Sequence, residues 1–303
     1  MQAATLETEF TEGKDYTVTA NGIMPLANMT MPFIPFDEFY LEDGSKYSSF
    51  PTEGNFRGFL RFEEGSFFHE RQIVITYTHA EENPVYPRKG GKLPGLYRKL
   101  DEAETIKIFV NGDSITEGYN ASGFVNAPPY QSAYPGIFAE KFAALFNVQT
   151  EIVNIASAGK NSSWGVTVTA KYLMENPDYV PDIFICAFGM NDGSLSASKH
   201  TDLIRKIIAP VRERNPDCAI VLAATMLPNP LLPGFSQNQA EYAPALLELE
   251  DEIPECVVAD VTSVHSEILT RKRYYDMTGN NVNHPNDFLH RIYAEVITDA
   301  VSK

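Results

Sequence analysis

From residue 105 to the C-terminus the chain repeats one pattern: a short apolar run, a polar loop, then a stretch of helical period. The apolar runs are 106–110, 151–155, 182–187, 218–223 and 256–259. Residues 133–146, 163–175, 198–213, 238–249 and 263–271 read as helices between or after them, and 286–301 as a closing helix. Most of the apolar runs lack alternation with polar residues, the mark of strands buried on both faces. This rhythm restricts the region to an α/β fold, a doubly wound parallel five-stranded sheet.

Residues 1–98 follow a different rhythm. The runs 15–20, 57–62 and 72–78 are rich in β-branched and aromatic residues, and Pro- or Gly-containing segments such as 31–35 and 42–45 separate them. They predict a small β-sandwich. A basic Pro/Gly-rich segment, 87–95, reads as the crossing between the halves, so the expected division is 1–98 and 99–303.

Composition excludes several classes of partner. A formal net charge of −16 gives no long-range attraction to nucleic acid or to an anionic membrane. Cys186, Cys218 and Cys256 are far apart and lie in or beside apolar runs, which predicts buried thiols and no disulfide. Neither C-x-x-C nor H-E-x-x-H occurs, so no zinc signature is present. The acidic N-terminus lacks a basic-then-apolar leader, and no apolar stretch reaches the length of a membrane span; a cytoplasmic protein is the expectation.

In an open parallel sheet the reactive groups gather past the carboxyl ends of the strands. There the chain carries Gly112-Asp113-Ser114, Ala156-Ser157-Ala158-Gly159, Phe188-Gly189-Met190-Asn191-Asp192 and Thr225–Asn229. Ser114 has two readings: a helix cap satisfying free N–H groups, or a nucleophile presented at the sheet edge. A nucleophile needs a base. His69 and His79 lie in the β-rich half, and His200 and His265 lie in helical segments without polar company. His284 stands in a polar loop before the last helix, with Pro285 suited to that helix's first turn. His290, next to Leu289 on the helix itself, reads as a packing residue.

Four short blocks, in order, give the chain a clear likeness. Gly112-Asp113-Ser114, Asn154 through Gly159, Gly189-Met190-Asn191-Asp192 and His284-Pro285-Asn286 together resemble the SGNH/GDSL hydrolase superfamily, from about residue 105 to the C-terminus. The resemblance implies a flavodoxin-like α/β/α domain with Ser114 as nucleophile and His284 as base. It also implies an oxyanion site formed by the Ser114 and Gly159 backbone N–H groups and the Asn191 amide, and it needs neither metal nor cofactor. The β-rich half is similar, in architecture only, to the jelly-roll module that precedes this domain in some bacterial carbohydrate esterases.

One position departs from the pattern. The superfamily usually places an aspartate three residues before its histidine, and here that residue is Asn281. Three arrangements follow: a Ser114–His284 dyad with Asn281 or a backbone carbonyl orienting the ring, an aspartate arriving from elsewhere in the loop (Asp276 or Asp287), or the literal D-x-x-H of Asp287 and His290. Trp164, Tyr119, Phe124 and Tyr130 are candidate walls of a substrate site.

These readings lead to a serine esterase that removes a small acyl group, acetyl by preference, from a carbohydrate or related alcohol. The alternatives are a lipase- or lysophospholipase-like esterase, and a catalytically dead carbohydrate-binding protein. The expected partner is a small-molecule or oligosaccharide ester.

Overall fold

The computed structural model describes residues 1–20, 22–53, 58–78 and 86–303. His79 and the start of the 57–62 run therefore lie outside the described residues. In the N-terminal part β1 (Gln2–Ala3) pairs with β7 (Ile73–Val74), and β2 (Tyr16–Thr19) with β3 (Gly22–Pro25). Strand β6 (Phe59–Arg61) lies between β4 (Tyr40–Leu41) and β5 (Ser49–Pro51), and all of these pairs are antiparallel. A single helical turn, α1 (Phe36–Phe39), precedes β4.

The C-terminal part is the expected parallel sheet. Its strands are β8 (Thr105–Gly112), β9 (Gln149–Asn154), β10 (Ile183–Ala187), β11 (Ala219–Ala223) and β12 (Cys256–Ala259), paired in the order β12-β11-β10-β8-β9. The helices are α2 (Pro94–Glu102), α3 (Ser114–Glu117), α4 (Tyr134–Phe146), α5 (Ser162–Glu175), α6 (Ala197–Arg214), α7 (Tyr242–Glu252), α8 (Val261–Leu269) and α9 (Asp287–Val301). Helix α2 begins inside the segment read as a crossing: Pro94 occupies its first turn, where a missing N–H costs nothing, and Leu96 is buried.

Strand pleating sorts the core into two layers. Ile106, Ile108, Val110, Ile183, Ile185 and Val221 face α4 and α9, packing on Phe138, Phe142, Leu289 and Ile297. Their neighbours Phe109, Phe184, Cys186, Ile220, Leu222 and Val258 face α5, α6 and α7, packing on Leu173, Ile204, Ile207 and Leu246. Because successive residues serve opposite layers, both must be apolar, which is why the sequence runs lack alternation. All three cysteines are free and buried. A third, aromatic cluster joins Phe39, Leu60 and Phe68 of the N-terminal part to Leu232 and Val282, which belong to loops at the carboxyl edge of the sheet.

In chain order the strands run 2-1-3-4-5 across the sheet, so the winding reverses between β8 and β10. Loops leaving these two strands lead to helices on opposite faces, and in open α/β sheets ligands bind at such a reversal. Among the described residues no helix is long and apolar enough to cross a membrane.

Candidate active site

Ser114 stands at that reversal, separated from the end of β8 by Asp113 alone, as the first residue of α3. The cap of this short helix is Asp113: its side chain accepts from the Ile115 N–H at 3.0 Å, and its carbonyl accepts from Thr116 and Glu117. With capping done by the preceding residue, the Ser114 hydroxyl is available for another partner. Gly112 is required by close approach. A β-carbon there would sit 2.2 Å from Thr116 Oγ1 and 2.6 Å from the Ala187 carbonyl of β10.

The partner of Ser114 is His284, whose Nε2 lies 2.8 Å from Oγ. The loop that carries His284 is organised by one asparagine. Asn280 Oδ1 accepts the N–H groups of Val282, Asn283 and His284, each at 3.0 Å. Thr278 Oγ1 donates to the His284 carbonyl at 2.8 Å, and Asn286 caps α9 by accepting from Leu289. Ser114 and His284 are almost buried, at 4% and 6% exposure.

The other ring nitrogen determines the tautomer. Nδ1 faces Asn120 Oδ1 at 2.9 Å and the Glu64 carboxylate, with Oε1 at 3.2 Å and Oε2 at 3.3 Å. An ionised carboxylate only accepts, and Asn120 Nδ2 is already donating to the Gly65 and Gly279 carbonyls. Nδ1 therefore carries the proton, and the lone pair on Nε2 points at the serine hydroxyl, the arrangement needed to remove its proton. Burial pushes the Glu64 carboxyl up, but hydrogen bonds from His284 and Asn280 and the charge of His284 outweigh it, leaving Glu64 below its ordinary value.

None of the three orienting residues expected from the loop meets the ring. Asn281, three residues before His284, has left-handed backbone (φ +70°) and donates through Nδ2 to the Arg61 carbonyl at 3.1 Å; its buried Oδ1 has no partner among the described residues. Asp276 accepts from the Arg273 N–H, and Asp287 accepts from the Ser122 N–H at 2.7 Å. His290 is packed inside: Nδ1 accepts from the Tyr134 N–H, Nε2 faces the Tyr119 carbonyl, and burial lowers its pKa to about 3. The pair that does meet the ring, Asn120 and Glu64, carried no sequence signal. Asn120 is an ordinary loop residue, and Glu64 is 220 residues away from His284.

Hydrogen bonds tie the Gly159 loop to the nucleophile turn, and the Asn191 loop to the Gly159 loop and the start of α5. Glu117 accepts from the Ala158 N–H, and Asn154 Nδ2 donates to the Thr116 carbonyl at 2.8 Å, fixing the Gly159 loop to α3. Gly159 itself is exposed, has φ +70° and has open space where a side chain would stand. Half-buried Asn191 donates through Nδ2 to the Lys160 carbonyl at 2.9 Å, leaving the second amide hydrogen for another acceptor. Asp192 holds Ser162 through both its N–H and its hydroxyl. Burial raises Asp113 to about 7, with the nearby Asp192 charge adding to the rise, and burial also raises Asp192.

The aromatic candidates divide. Tyr119 presents its ring to His284 edge-on at 5.2 Å between centroids and leans on Phe124 at 4.6 Å. Trp164 packs edge-on against Phe188 beside the second core layer, and Tyr130 is exposed. A large groove of about 1380 Å³ between the N-terminal part and the α9 side, lined by residues including Phe33, Phe36 and Tyr77, is not lined by Ser114 or His284. Among the described residues no group of three His, Cys, Asp or Glu is arranged to hold a metal ion.

Residues 110–292, more than half of the chain, match the GDSL-like lipase/acylhydrolase family. No curated protein matches the chain. Among solved structures, a two-domain esterase (CEX) active on acetylated mannans is similar at TM-score 0.51 and 19% identity, covering 70% of this chain and 53% of its own. The chain thus spans about half the length of that protein. Axe2, an acetylxylan esterase from Geobacillus stearothermophilus, is similar at TM-score 0.51 and 15% identity, covering 65% of this chain and 94% of its own. LAE5, an α/β hydrolase from the metagenome of Lake Arreo, Spain, has TM-score 0.51 at 16% identity, with coverage of 65% and 94%. At such identities the likeness is one of fold, and it agrees with the sheet described above. The family match over 110–292 runs from the strand that presents Ser114 to the helix after His284, and on it this chain belongs to the GDSL-like lipase/acylhydrolase family.

Proposed function

We propose that the chain is a serine esterase that removes acetyl, or another small acyl group, from a carbohydrate or related alcohol. The observation that carries this reading is the 2.8 Å contact between Ser114 Oγ and His284 Nε2, with the Nδ1 proton held by acceptors. Ser114 Oγ attacks the ester carbonyl while Nε2 takes its proton, and the carbonyl oxygen becomes an oxyanion. The Ser114 and Gly159 N–H groups and the free hydrogen of the Asn191 amide are the donors assigned to it; removing one such donor typically costs on the order of 10²–10³ in turnover. The tetrahedral intermediate then loses the alcohol, protonated by His284. Water, deprotonated by the same imidazole, attacks the acyl-serine and releases the acid. No step uses a metal.

Support for a sugar acetate comes from the solved structures of similar fold, which include esterases of acetylated mannan and of acetylxylan. Tyr119 and Phe124, packed together beside the imidazole, would line the acyl end. On this reading residues 99–303 are the catalytic domain and 1–98 an accessory region, with α2 crossing the boundary into the catalytic core. The test is hydrolysis of a p-nitrophenyl ester series from acetate upward, followed by mass spectrometry of acetylated oligosaccharides before and after treatment. Preference for acetate and loss of acetyl from one sugar type are expected. Preference for long chains would point to a lipase-like enzyme. Inertness towards both the esters and a serine-directed phosphonate would leave a glycan-binding protein.

A further inference from the structure

The histidine loop of this chain lacks an aspartate at the position three residues before His284, yet an ionised carboxylate stands against the ring. We propose that Glu64, supplied by the N-terminal β-rich part, is the acidic positioning residue of the site, acting with Asn120 on Nδ1 of His284. The proposal rests on the reading of Ser114 and His284 as nucleophile and base.

The division of labour follows from distance and charge. Nδ1 has one proton, and its shortest contact is the neutral Asn120 Oδ1 at 2.9 Å, which sets the ring's orientation. Both Glu64 oxygens sit slightly further off, at 3.2 and 3.3 Å, so the carboxylate acts chiefly through its charge on the imidazolium that forms when Ser114 is deprotonated. A neutral amide cannot provide that charge.

Both groups are locked in place. Asn120 has left-handed backbone (φ +62°), and its Nδ2 donates to the Gly65 and Gly279 carbonyls at 3.2 Å each, which turns Oδ1 to the ring. Glu64 Oε1 accepts from Asn280 Nδ2 at 3.1 Å, and Asn280 is the residue that organises the histidine loop. Adjacent Glu63 is taken by Arg61 at 2.8 Å, and Arg61 is held between the Tyr47 and Phe67 rings, so the two neighbouring glutamates face different partners. The side chain of Glu64 is 38% exposed, so its effect is weaker than that of a fully buried acid. The other titratable groups facing the ring are Tyr119, edge-on, and His290, which burial keeps neutral.

The experiment uses the full chain with p-nitrophenyl acetate as probe and Glu64→Gln, Glu64→Asp and Ser114→Ala as variants. Glu64→Gln is expected to lower kcat on the order of 10²-fold, less than the ~10⁴ seen when a buried triad aspartate becomes an amide, with KM little changed. The acidic limb of kcat/KM should move to lower pH, because the imidazolium has lost its counter-charge. Glu64→Asp should restore part of both. A second readout is independent of turnover: the imidazole nitrogen resonances of His284, assigned by their loss in His284→Ala, should titrate at lower pH in Glu64→Gln than in the wild type. An unmoved titration, or a fall in kcat matched by a fall in folded fraction with the limb in place, would overturn the role of Glu64. If the wild type is inert, or Ser114→Ala remains active, while the titration still moves, the esterase reading fails and the Glu64–His284 coupling stands.

Discussion

The two parts of this molecule pack together around the His284 imidazole and are built by different means. The C-terminal part is organised by period: strands of four to eight residues, parallel, with each face covered by helices. Among the described residues, the N-terminal part has strands of two to four residues in three small sheets, held by edge-on aromatic pairs such as Phe39–Phe68 and Phe50–Phe235 and by the other part's loops. A regular sheet offers its chemistry only at strand ends, where the loops begin. An irregular, loop-rich region has no such restriction and is free to place one carboxylate against a ring from outside. On the proposed function, the regular part provides the reacting groups, and the irregular part provides the charge beside them.

The comparison is tested most severely at Ser114. On the proposed function Ser114→Ala lowers kcat by on the order of 10⁴ or more, with the melting temperature nearly unchanged, since Asp113 caps α3. Appreciable remaining turnover would remove Ser114 from the chemistry. The two histidines of the same C-terminal segment come next. His284→Ala is expected to match Ser114→Ala in kcat per folded molecule, whereas His290→Ala lowers stability by about 2–4 kcal/mol through a cavity and unpaired Tyr134 N–H, but leaves kcat within severalfold. The reverse result would move the base onto α9. Asn191→Ala is expected to lower kcat by on the order of 10²–10³ without affecting KM in proportion. An unchanged kcat would place the third oxyanion donor elsewhere.

The smallest effect lies in the pH dependence of stability, and it too contrasts the two parts. Asp113 is raised from 3.8 to about 7, chiefly by burial. Its contribution to stability is therefore full below 3.8 and is lost as pH rises through about 7. Glu64 has the opposite sign: held below 4.5, it contributes above that value, and the contribution is lost as pH falls through its folded value. Asp113→Asn keeps an oxygen to accept from Ile115 and should flatten the fall in melting temperature between about pH 4 and 7. Glu64→Gln should flatten the acidic side instead. Identical slopes in wild type and Asp113→Asn would show that the buried carboxyl is not the group responsible.

Most of the parallel sheet was legible in the residues. All five apolar runs became strands within a few residues of the expected limits; β8, β10, β11 and β12 are covered on both faces and need a continuous apolar run, whereas β9, at the sheet edge, is largely exposed. The N-terminal runs were longer on paper than in the fold: 72–78 yields only Ile73–Val74 as strand. Short strands there draw their stability from aromatic contacts to distant loops, and local pattern carries no record of those. Ser114, Gly159, Asn191 and His284 stood out as candidates because each stands in a short contiguous block beside a strand or helix end, and the fold brings Ser114 and His284 into contact. Asn281 misled for a physical reason. Sequence spacing places it three residues before the histidine, but its left-handed backbone aims the side chain at Arg61 instead.

The sequence by itself therefore determined the sheet, its helices and the residues at the carboxyl ends of its strands, since periodicity and turn chemistry are local properties written in adjacent residues. Only the tertiary structure decided which acid faces His284. That choice rests on the packing of Leu60 and Phe68 against Val282, which brings Glu64 to a loop 220 residues later in the chain. A charge reaches across space with no regard for sequence distance, and its partner becomes visible only when the chain has folded.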